Sequence, residues 1–422
     1  MGNTLSSPST RLRRLTHGVL TVLSLLTVPL LAGQVPTAQP EDVGFSSERL
    51  PRIHEAIQRH VDAGDVTGAV TLVARRGHIA HFEAHGVMDI ESNTPMRKDA
   101  VFRIMSMTKP VTAVAVLMML EEGKLRLNDR VSTFIPAFKD LKVAAAPAQG
   151  SSADAGNRAE PTAVVPADRE ITIRDLLTHS SGMVRNADRT PADSLATYVP
   201  TLATVPLAFQ PGTQWAYSGL AGPDVLARVV EIVSGQPYDE FVRTRIFEPL
   251  GMKDTMYYPS DDVRPRVVTL YRQTEHGFEK DADPDRISSR TYFSGGAGLI
   301  STAQDYLQFA QMLANGGTLN GTRFLSPRTV DLMASNHVGD MFNGKLGFPE
   351  HGFGFGLLVA RMQDNVAAGW RLPNNSFGWF GAYGTQVWIN RDEELVTLLM
   401  IQNLNYEVQR DFENAVVQAL VD

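Results

Sequence analysis

Ser106 and Lys109 form a Ser-x-x-Lys pair, which in a helix places a hydroxyl and an amine on the same face. A serine hydroxyl is a weak nucleophile until a neighbour removes its proton, and a neutral lysine amine can do so. Such a four-residue pattern also arises by chance in a chain of 422 residues. Here the extended segment 101–104 leads into Ser106, and the apolar stretch 111–120 follows Lys109. Only a buried central helix would be apolar on all its faces, so the pair is predicted to lie in the core.

Tyr217 is a second candidate for proton transfer. It follows the turn 210–213 and precedes a predicted helix that begins near Asp224. A tyrosine beside an ammonium group has its phenolate form favoured, so it can act as a base or proton relay for Ser106. Most tyrosines in such turns only pack, and Tyr217 by itself indicates little.

The segment Trp379-Phe380-Gly381-Ala382 is a third candidate, at the start of a predicted edge strand. A glycine there permits close backbone approach, and the amide of Ala382 could then point at a substrate oxygen. By itself the segment indicates a strand start more than a site.

Two histidine motifs are given structural interpretations. His81-Phe82-Glu83-Ala84-His85 resembles a metal-binding spacing, but it lies in a predicted hairpin and its order differs from that of a zinc protease. His179 is predicted to be a structural residue at a helix end. No Gly-x-Ser-x-Gly elbow is present, and neither a metal nor a cofactor is predicted.

Composition limits the class of protein. Apolar residues make up 43 % of the chain and charged residues 20 %, which is typical of a globular protein. The net charge of -7, with no dense Lys/Arg stripe, gives no support for nucleic-acid binding. The chain has no cysteine, which excludes disulfides, thiol nucleophiles and lipid attachment through cysteine.

The N-terminus reads as a secretory signal peptide, residues 1–33. Arginines at 11, 13 and 14 precede an apolar run, 18–32, that is short for a membrane span and contains Pro29. We expect cleavage near Ala32 and an exported protein, periplasmic or secreted, with no membrane span after cleavage.

Hydrophobic periodicity predicts strands at both ends of the chain and helices between them. The predicted elements are helix 46–63, hairpin 68–82 with its turn at Arg76-Gly77, helices 111–120, 171–177 and 224–234, strands 386–389 and 395–401, and helix 406–420.

This order predicts a single unit, residues 34–422, of the α/β class. Its α/β part would comprise about 42–105 and 290–422, with a helical part, about 106–289, inserted between them. The Ala-, Pro- and Ser-rich stretch 143–168 is predicted to be a flexible loop.

With the three candidate segments in this order, the chain resembles the serine β-lactamase and penicillin-binding-protein superfamily over residues 42–420. It is most similar to the class C β-lactamase-like branch that contains the family VIII carboxylesterases. The resemblance implies an antiparallel sheet flanked by N- and C-terminal helices, with a helical domain inserted. Further matching segments are 102–104, 176–182 and 295–302.

The resemblance also implies residue roles. Ser106 would be the acylated nucleophile, and Lys109 and Tyr217 would share the proton transfers. The backbone amides of Ser106 and Ala382 would form the oxyanion hole, while Trp379, Gly381 and Gly219 would contact substrate.

Two departures from the class C pattern favour an ester substrate. Gly219 stands where class C lactamases have an asparagine, and Trp379 stands where they have a lysine that pairs with the substrate carboxylate. Losing such a charged hydrogen bond typically costs about 1.5–3 kcal/mol. The sequence therefore predicts a serine esterase acting on small-molecule esters. A β-lactamase or D-alanyl-D-alanine carboxypeptidase using the same residues, and a non-catalytic binding module, are the alternatives. The sequence predicts neither the natural substrate nor the oligomeric state.

Overall fold

The computed structural model describes residues 1–5, 33–145, 163–282, 284 and 290–422. The chain divides into Met1–Leu31 and a second unit, Ala32–Asp422, and the helices and strands of the described residues lie in this second unit. The predicted signal peptide falls almost entirely outside the described residues. Within the described ranges, no helix is both long enough and apolar enough to cross a membrane.

The second unit alternates strands, helices and short 3-10 turns. Its strands are β1 (Gly68–Arg75), β2 (His78–Asp89), β3 (Thr94–Pro95), β4 (Phe102–Arg103), β5 (Lys142–Ala144), β6 (Val164–Pro166), β7 (Tyr271–Thr274), β8 (Gly277–Lys280), β9 (Ile300–Ser301), β10 (Thr318–Leu319), β11 (Thr322–Arg323), β12 (Phe353–Phe355), β13 (Ala360–Met362), β14 (Phe377–Phe380), β15 (Gln386–Asn390) and β16 (Leu395–Met400). Its α-helices are α1 (Arg52–Asp62), α2 (Thr108–Glu121), α3 (Ile173–Leu177), α4 (Leu195–Tyr198), α5 (Ala221–Ser234), α6 (Tyr238–Val242), α7 (Glu248–Leu250), α8 (Ala303–Ala314), α9 (Pro327–Ala334), α10 (Asn365–Ala368) and α11 (Tyr406–Val417).

The main sheet is antiparallel and joins the two ends of the unit. Its strand order is β12-β13-β14-β15-β16-β1-β2-β3, so the first and last long strands are neighbours, with Thr71 opposite Leu399. The predicted hairpin is present: Arg76 and Gly77 have φ values of 51° and 73°, the left-handed geometry of a tight hairpin turn. The predicted antiparallel α/β architecture is confirmed.

Helices cover both faces of the sheet. On one face α1 and α11 pack over alternate residues of β1, including Ala69 and Val73. The intervening residues of β1, such as Val70 and Leu72, belong to the larger core that α2 and α8 share. Because both faces are covered, every residue of β1 is buried.

Helix α2 is the buried central helix that the sequence predicts. All its residues from Thr108 to Met119 are buried, and Pro110 lies in its first turn, where a missing N–H costs no helical hydrogen bond. Ser106, however, precedes the helix in a 3-10 turn, Met105–Met107.

Several predicted boundaries differ from the structure. Helix α1 begins at Arg52 rather than at residue 46, after an N-cap at Pro51. Helix α11 ends at Val417 rather than at residue 420. The predicted loop 143–168 is not loop throughout, because its two ends pair as the ribbon β5–β6. Its middle, 146–162, lies outside the described residues.

Candidate active site

Ser106 follows directly after the two-stranded ribbon that β4 and β9 form. Strand β4 pairs with β9, and the amide of Ile104 donates to the carbonyl of Leu299 at 3.1 Å. The chain then turns at Met105, whose φ of 47° is rare for a side chain of this size. Such backbone strain costs about 1–3 kcal/mol and persists only where surrounding packing holds it, often at functional sites.

Lys109 points its amine at Ser106 from the first turn of α2. The residue is fully buried, and Nζ lies 3.1 Å from Ser106 Oγ. Nζ also donates to the carbonyls of Gly219 at 2.7 Å and Gly296 at 2.8 Å. Three oxygens therefore surround the amine. Among the residues that the structure describes, no carboxylate forms an ion pair with Lys109, so its amine stays directed at the serine.

Tyr217 completes the group around the serine oxygen. Its hydroxyl donates to Ser106 Oγ at 2.8 Å, and its ring centroid lies 4.9 Å from Lys109 Nζ. A single oxygen therefore contacts both an amine and a phenol. Either group is close enough to take a proton from Ser106 or return one to a leaving group.

His179 holds the segment that carries Tyr217. Its carbonyl accepts from the amide of Ala216 at 3.0 Å, and its Nδ1 accepts from the amide of Ser218 at 3.3 Å. The imidazole packs against the Tyr217 ring, with centroids 4.9 Å apart. Burial, with the charge of Lys109 adding to it, keeps the pKa of His179 well below its ordinary value, so the ring is neutral. The residue is structural, as the sequence indicates, and it positions Tyr217.

Asp224 positions one of the two carbonyls that hold Lys109. It is fully buried in the first turn of α5, and it accepts hydrogen bonds from Tyr292 and, at 2.5 Å, from Ser294 Oγ. Ser294 Oγ in turn accepts from the amide of Gly296 at 3.0 Å. Burial raises the pKa of Asp224 above its ordinary value, while these hydrogen bonds lower it. The sequence indicates only a helix start at Asp224, because nothing local distinguishes the residue from an ordinary cap.

The end of β14 lies against the turn that carries Ser106. A Cβ atom at Gly381 would lie 2.4 Å from the carbonyl oxygen of Ile104, so only glycine allows this approach. Thr385 Oγ1 donates to the same carbonyl at 3.2 Å. Among the described residues, the amides of Ser106 and Ala382 donate to no protein acceptor. Both are therefore available for a substrate oxygen.

Trp379 is more enclosed than the sequence predicts. We expected it to present apolar surface to substrate, but it is only 1 % exposed. Its ring lies 5.7 Å from that of Tyr217 and 5.3 Å from that of Phe355. Trp379 thus forms the packed wall behind Tyr217. Gly219 is different, since a Cβ there would meet no atom within 4 Å.

A separate cavity of about 370 Å³ lies between α11, strands β14 and β15, and the segments 346–349 and 368–372. Phe380, Trp388 and Glu413 line it, whereas Ser106, Lys109 and Tyr217 do not. Phe380 and Trp388 face it because they lie on the opposite face of the sheet from Trp379. Ser106 Oγ therefore lies outside this cavity.

Comparison with known proteins identifies the family. The sequence profile of the family described as Beta-lactamase matches residues 53–422. The chain belongs to the beta-lactamase family. The predicted resemblance is confirmed, and the family's α/β fold agrees with the sheet and helices described above.

Relatives of this beta-lactamase-family protein include esterases. It is 31 % identical over 405 residues to esterase EstB of Burkholderia gladioli, covering 88 % of this chain and 94 % of EstB. It is 35 % identical over 367 residues to an uncharacterised protein of Mycobacterium tuberculosis, covering 82 % and 88 % of the two chains. The solved structure of EstCE1, described as a hydrolase with promiscuous acyltransferase activity, has a TM-score of 0.74 at 26 % identity. That match covers 88 % of this chain and 99 % of EstCE1.

Proposed function

We propose that this beta-lactamase-family protein hydrolyses carboxylic esters of small molecules through an acyl-enzyme on Ser106. The observation that carries the proposal is the double contact at Ser106 Oγ, 3.1 Å from Lys109 Nζ and 2.8 Å from the Tyr217 hydroxyl. The esterase relatives support the choice of substrate class, at about 31 % identity for EstB.

The proposed reaction has two stages. The Lys109–Tyr217 pair begins with one of its two groups deprotonated, as a neutral amine or a phenolate. That group accepts the proton of Ser106 as Oγ attacks the ester carbonyl, and the amides of Ser106 and Ala382 stabilise the resulting oxyanion. The C–O bond to the alcohol breaks, and the leaving oxygen takes the proton from the same pair. Water then attacks the acyl-enzyme and gives its proton to the deprotonated member of the pair. The C–Oγ bond breaks, Ser106 Oγ takes that proton back, and the acid is released.

Covalent labelling tests the nucleophile. A fluorophosphonate probe should modify Ser106, and Ser106→Ala should lose both labelling and hydrolysis of p-nitrophenyl butyrate while remaining folded. Ser92→Ala, a change in an exposed turn, is the matched control and should label normally. A labelled peptide that contains another serine, or full ester turnover by Ser106→Ala, would refute the assignment.

A β-lactam or D-alanyl peptide substrate would use the same Ser106, Lys109 and Tyr217. Trp379 and Gly219 argue against it, because neither supplies the cation or the amide that would anchor such a substrate. We expect ready hydrolysis of short-chain p-nitrophenyl esters and weak or absent turnover of nitrocefin. Equal or higher kcat/KM for nitrocefin would replace the esterase proposal with the lactamase one.

We also propose that the protein is exported, on the charge and apolar pattern of residues 1–33. Cell fractionation of the full chain, with N-terminal sequencing of the mature form, tests this. Accumulation of uncleaved protein in the cytoplasm would refute it.

A further inference from the structure

A cluster of histidines lies on the sheet face covered by α1, outside the candidate active site. His81, Glu83 and His85 alternate along β2 and therefore project from the same face. Glu83 lies opposite Thr71 of β1 in the sheet register. His54, in the first turn of α1, reaches the cluster from the helix above.

The potential ligand atoms lie close together. His54 Nδ1 is 3.0 Å from Glu83 Oε2, and His85 Nε2 is 4.0 Å from the same oxygen. One ligand atom from each of the three residues lies within 4.8 Å of the others. Two imidazoles and a carboxylate at these separations form an N,N,O donor set.

The side of the cluster formed by Thr71, His81 and His85 is buried and incompletely hydrogen-bonded. The His85 side chain is fully buried, and its Nδ1 has no hydrogen-bond partner. Thr71 Oγ1 lies 2.8 Å from His81 Nε2 and 3.1 Å from His85 Nε2, which orients both rings. A neutral imidazole keeps a lone pair on one ring nitrogen for a ligand.

The outer side of the cluster is open to solvent. The side chains of His54 and Glu83 are 52 % and 41 % exposed. An ion can therefore reach the donors from solvent, and His54 can rotate without disturbing the core.

We propose that His54, Glu83 and His85 bind one transition-metal dication of the Zn²⁺ class. Zn–N and Zn–O distances of about 2.0–2.2 Å place tetrahedral ligands about 3.3 Å apart. The His54–Glu83 pair is already near that separation at 3.0 Å, and the His85–Glu83 pair, at 4.0 Å, would close by about 0.7 Å. Thr71 keeps His81 as its partner when His85 Nε2 turns to the metal. Imidazole donors favour zinc, copper or nickel over magnesium or calcium. The ion would tie α1 to β2 and leave a coordination position for water.

Titration of the untagged, chelator-treated protein with ZnCl₂ tests the proposal. Calorimetry should show one ion bound per chain, and His54→Ala and Glu83→Gln should each weaken binding by at least about ten-fold. Both variants change exposed side chains and should remain folded. His276→Gln removes an exposed turn histidine outside the cluster and is the matched control.

Two further readouts report the same site. Co²⁺ in place of Zn²⁺ should give a visible absorption band that His54→Ala abolishes. Zn²⁺ should raise the melting temperature of the wild type and of His276→Gln, but not of Glu83→Gln. The proposal is overturned if the wild type binds no Zn²⁺ at millimolar concentration, or if all the variants bind it equally.

Discussion

Substituting Gly381 with alanine tests whether the end of β14 positions Ser106, the proposed nucleophile. The new Cβ would lie 2.4 Å from the Ile104 carbonyl oxygen and 2.4 Å from Thr385 Oγ1, about 1 Å short of ordinary van der Waals contact. Because the Ile104 carbonyl is backbone two residues before Ser106, its displacement moves the nucleophile relative to Ala382. A misplacement of about 1 Å can cost about 10²-fold in rate. Overpacking also costs about 1–3 kcal/mol of stability.

The assay measures kcat/KM for p-nitrophenyl butyrate per folded molecule, with unfolding by urea followed in parallel. Gly354→Ala is the matched control, because its Cβ would lie 2.4 Å from Gln363 Oε1 and 2.5 Å from Asn336 Cγ, both side-chain rather than backbone atoms. We expect Gly354→Ala to lose stability but keep activity per folded molecule, and Gly381→Ala to lose about 10²-fold. If folded Gly381→Ala keeps about a third of wild-type activity, the strand end does not position Ser106.

Four other substitutions give measurable outcomes. Lys109→Arg keeps the charge but cannot give up its proton near neutral pH, so ester turnover should collapse; about a tenth of wild-type kcat would reduce Lys109 to an electrostatic role. Tyr217→Phe should lower kcat by about 10²–10⁴-fold, and a rate within about two-fold of wild type would leave Tyr217 as a packing residue. His179→Asn tolerates the left-handed backbone but loses the ring against Tyr217, so kcat should fall about ten-fold with little change in KM, as steady-state kinetics can show. Burial raises the pKa of Glu413 from 4.5 to about 8. Between pH 4.5 and 8 the folded protein therefore retains a proton that the unfolded chain releases, and the free energy of unfolding should fall as the pH rises. Glu413→Gln should remove that slope, a difference on the order of 5 kcal/mol above pH 8 in urea unfolding, and an unchanged slope would contradict the assignment.

The sequence predicted best what depends on local pattern. The apolar run after Lys109 specified a helix buried on all sides, and Arg76-Gly77 specified the hairpin turn. The predicted ends of helices were less accurate, as for α1, which begins only after its N-cap at Pro51. The meeting of Tyr217 with Ser106 came from family resemblance, because no local signal reports a contact between residues 111 positions apart.

The sequence did not predict contacts of backbone atoms, or contacts that depend on how helices and strands pack together. The carbonyl oxygens of Gly219 and Gly296 accept hydrogen bonds from Lys109. Every residue has a carbonyl, so the sequence does not indicate which ones make such contacts. The Glu83 and His85 spacing was visible, whereas His54 joins them only because α1 packs over β2. Trp379 was expected to face substrate, and only the packed aromatic cluster around it shows why it cannot present an open surface.

The glycines near residue 296 explain how a buried amine is kept directed at the serine. A Cβ at Gly296 would lie 2.7 Å from the Gly219 carbonyl oxygen, and one at Gly295 would lie 2.3 Å from the carbonyl oxygen of Pro223. This segment can therefore approach the start of α5 only if both residues lack side chains. Their close approach brings the carbonyls of Gly219 and Gly296 together on Lys109 Nζ, and the third partner of that amine is then Ser106 Oγ. The glycines thus act on the chemistry through the backbone, by fixing where the lysine points.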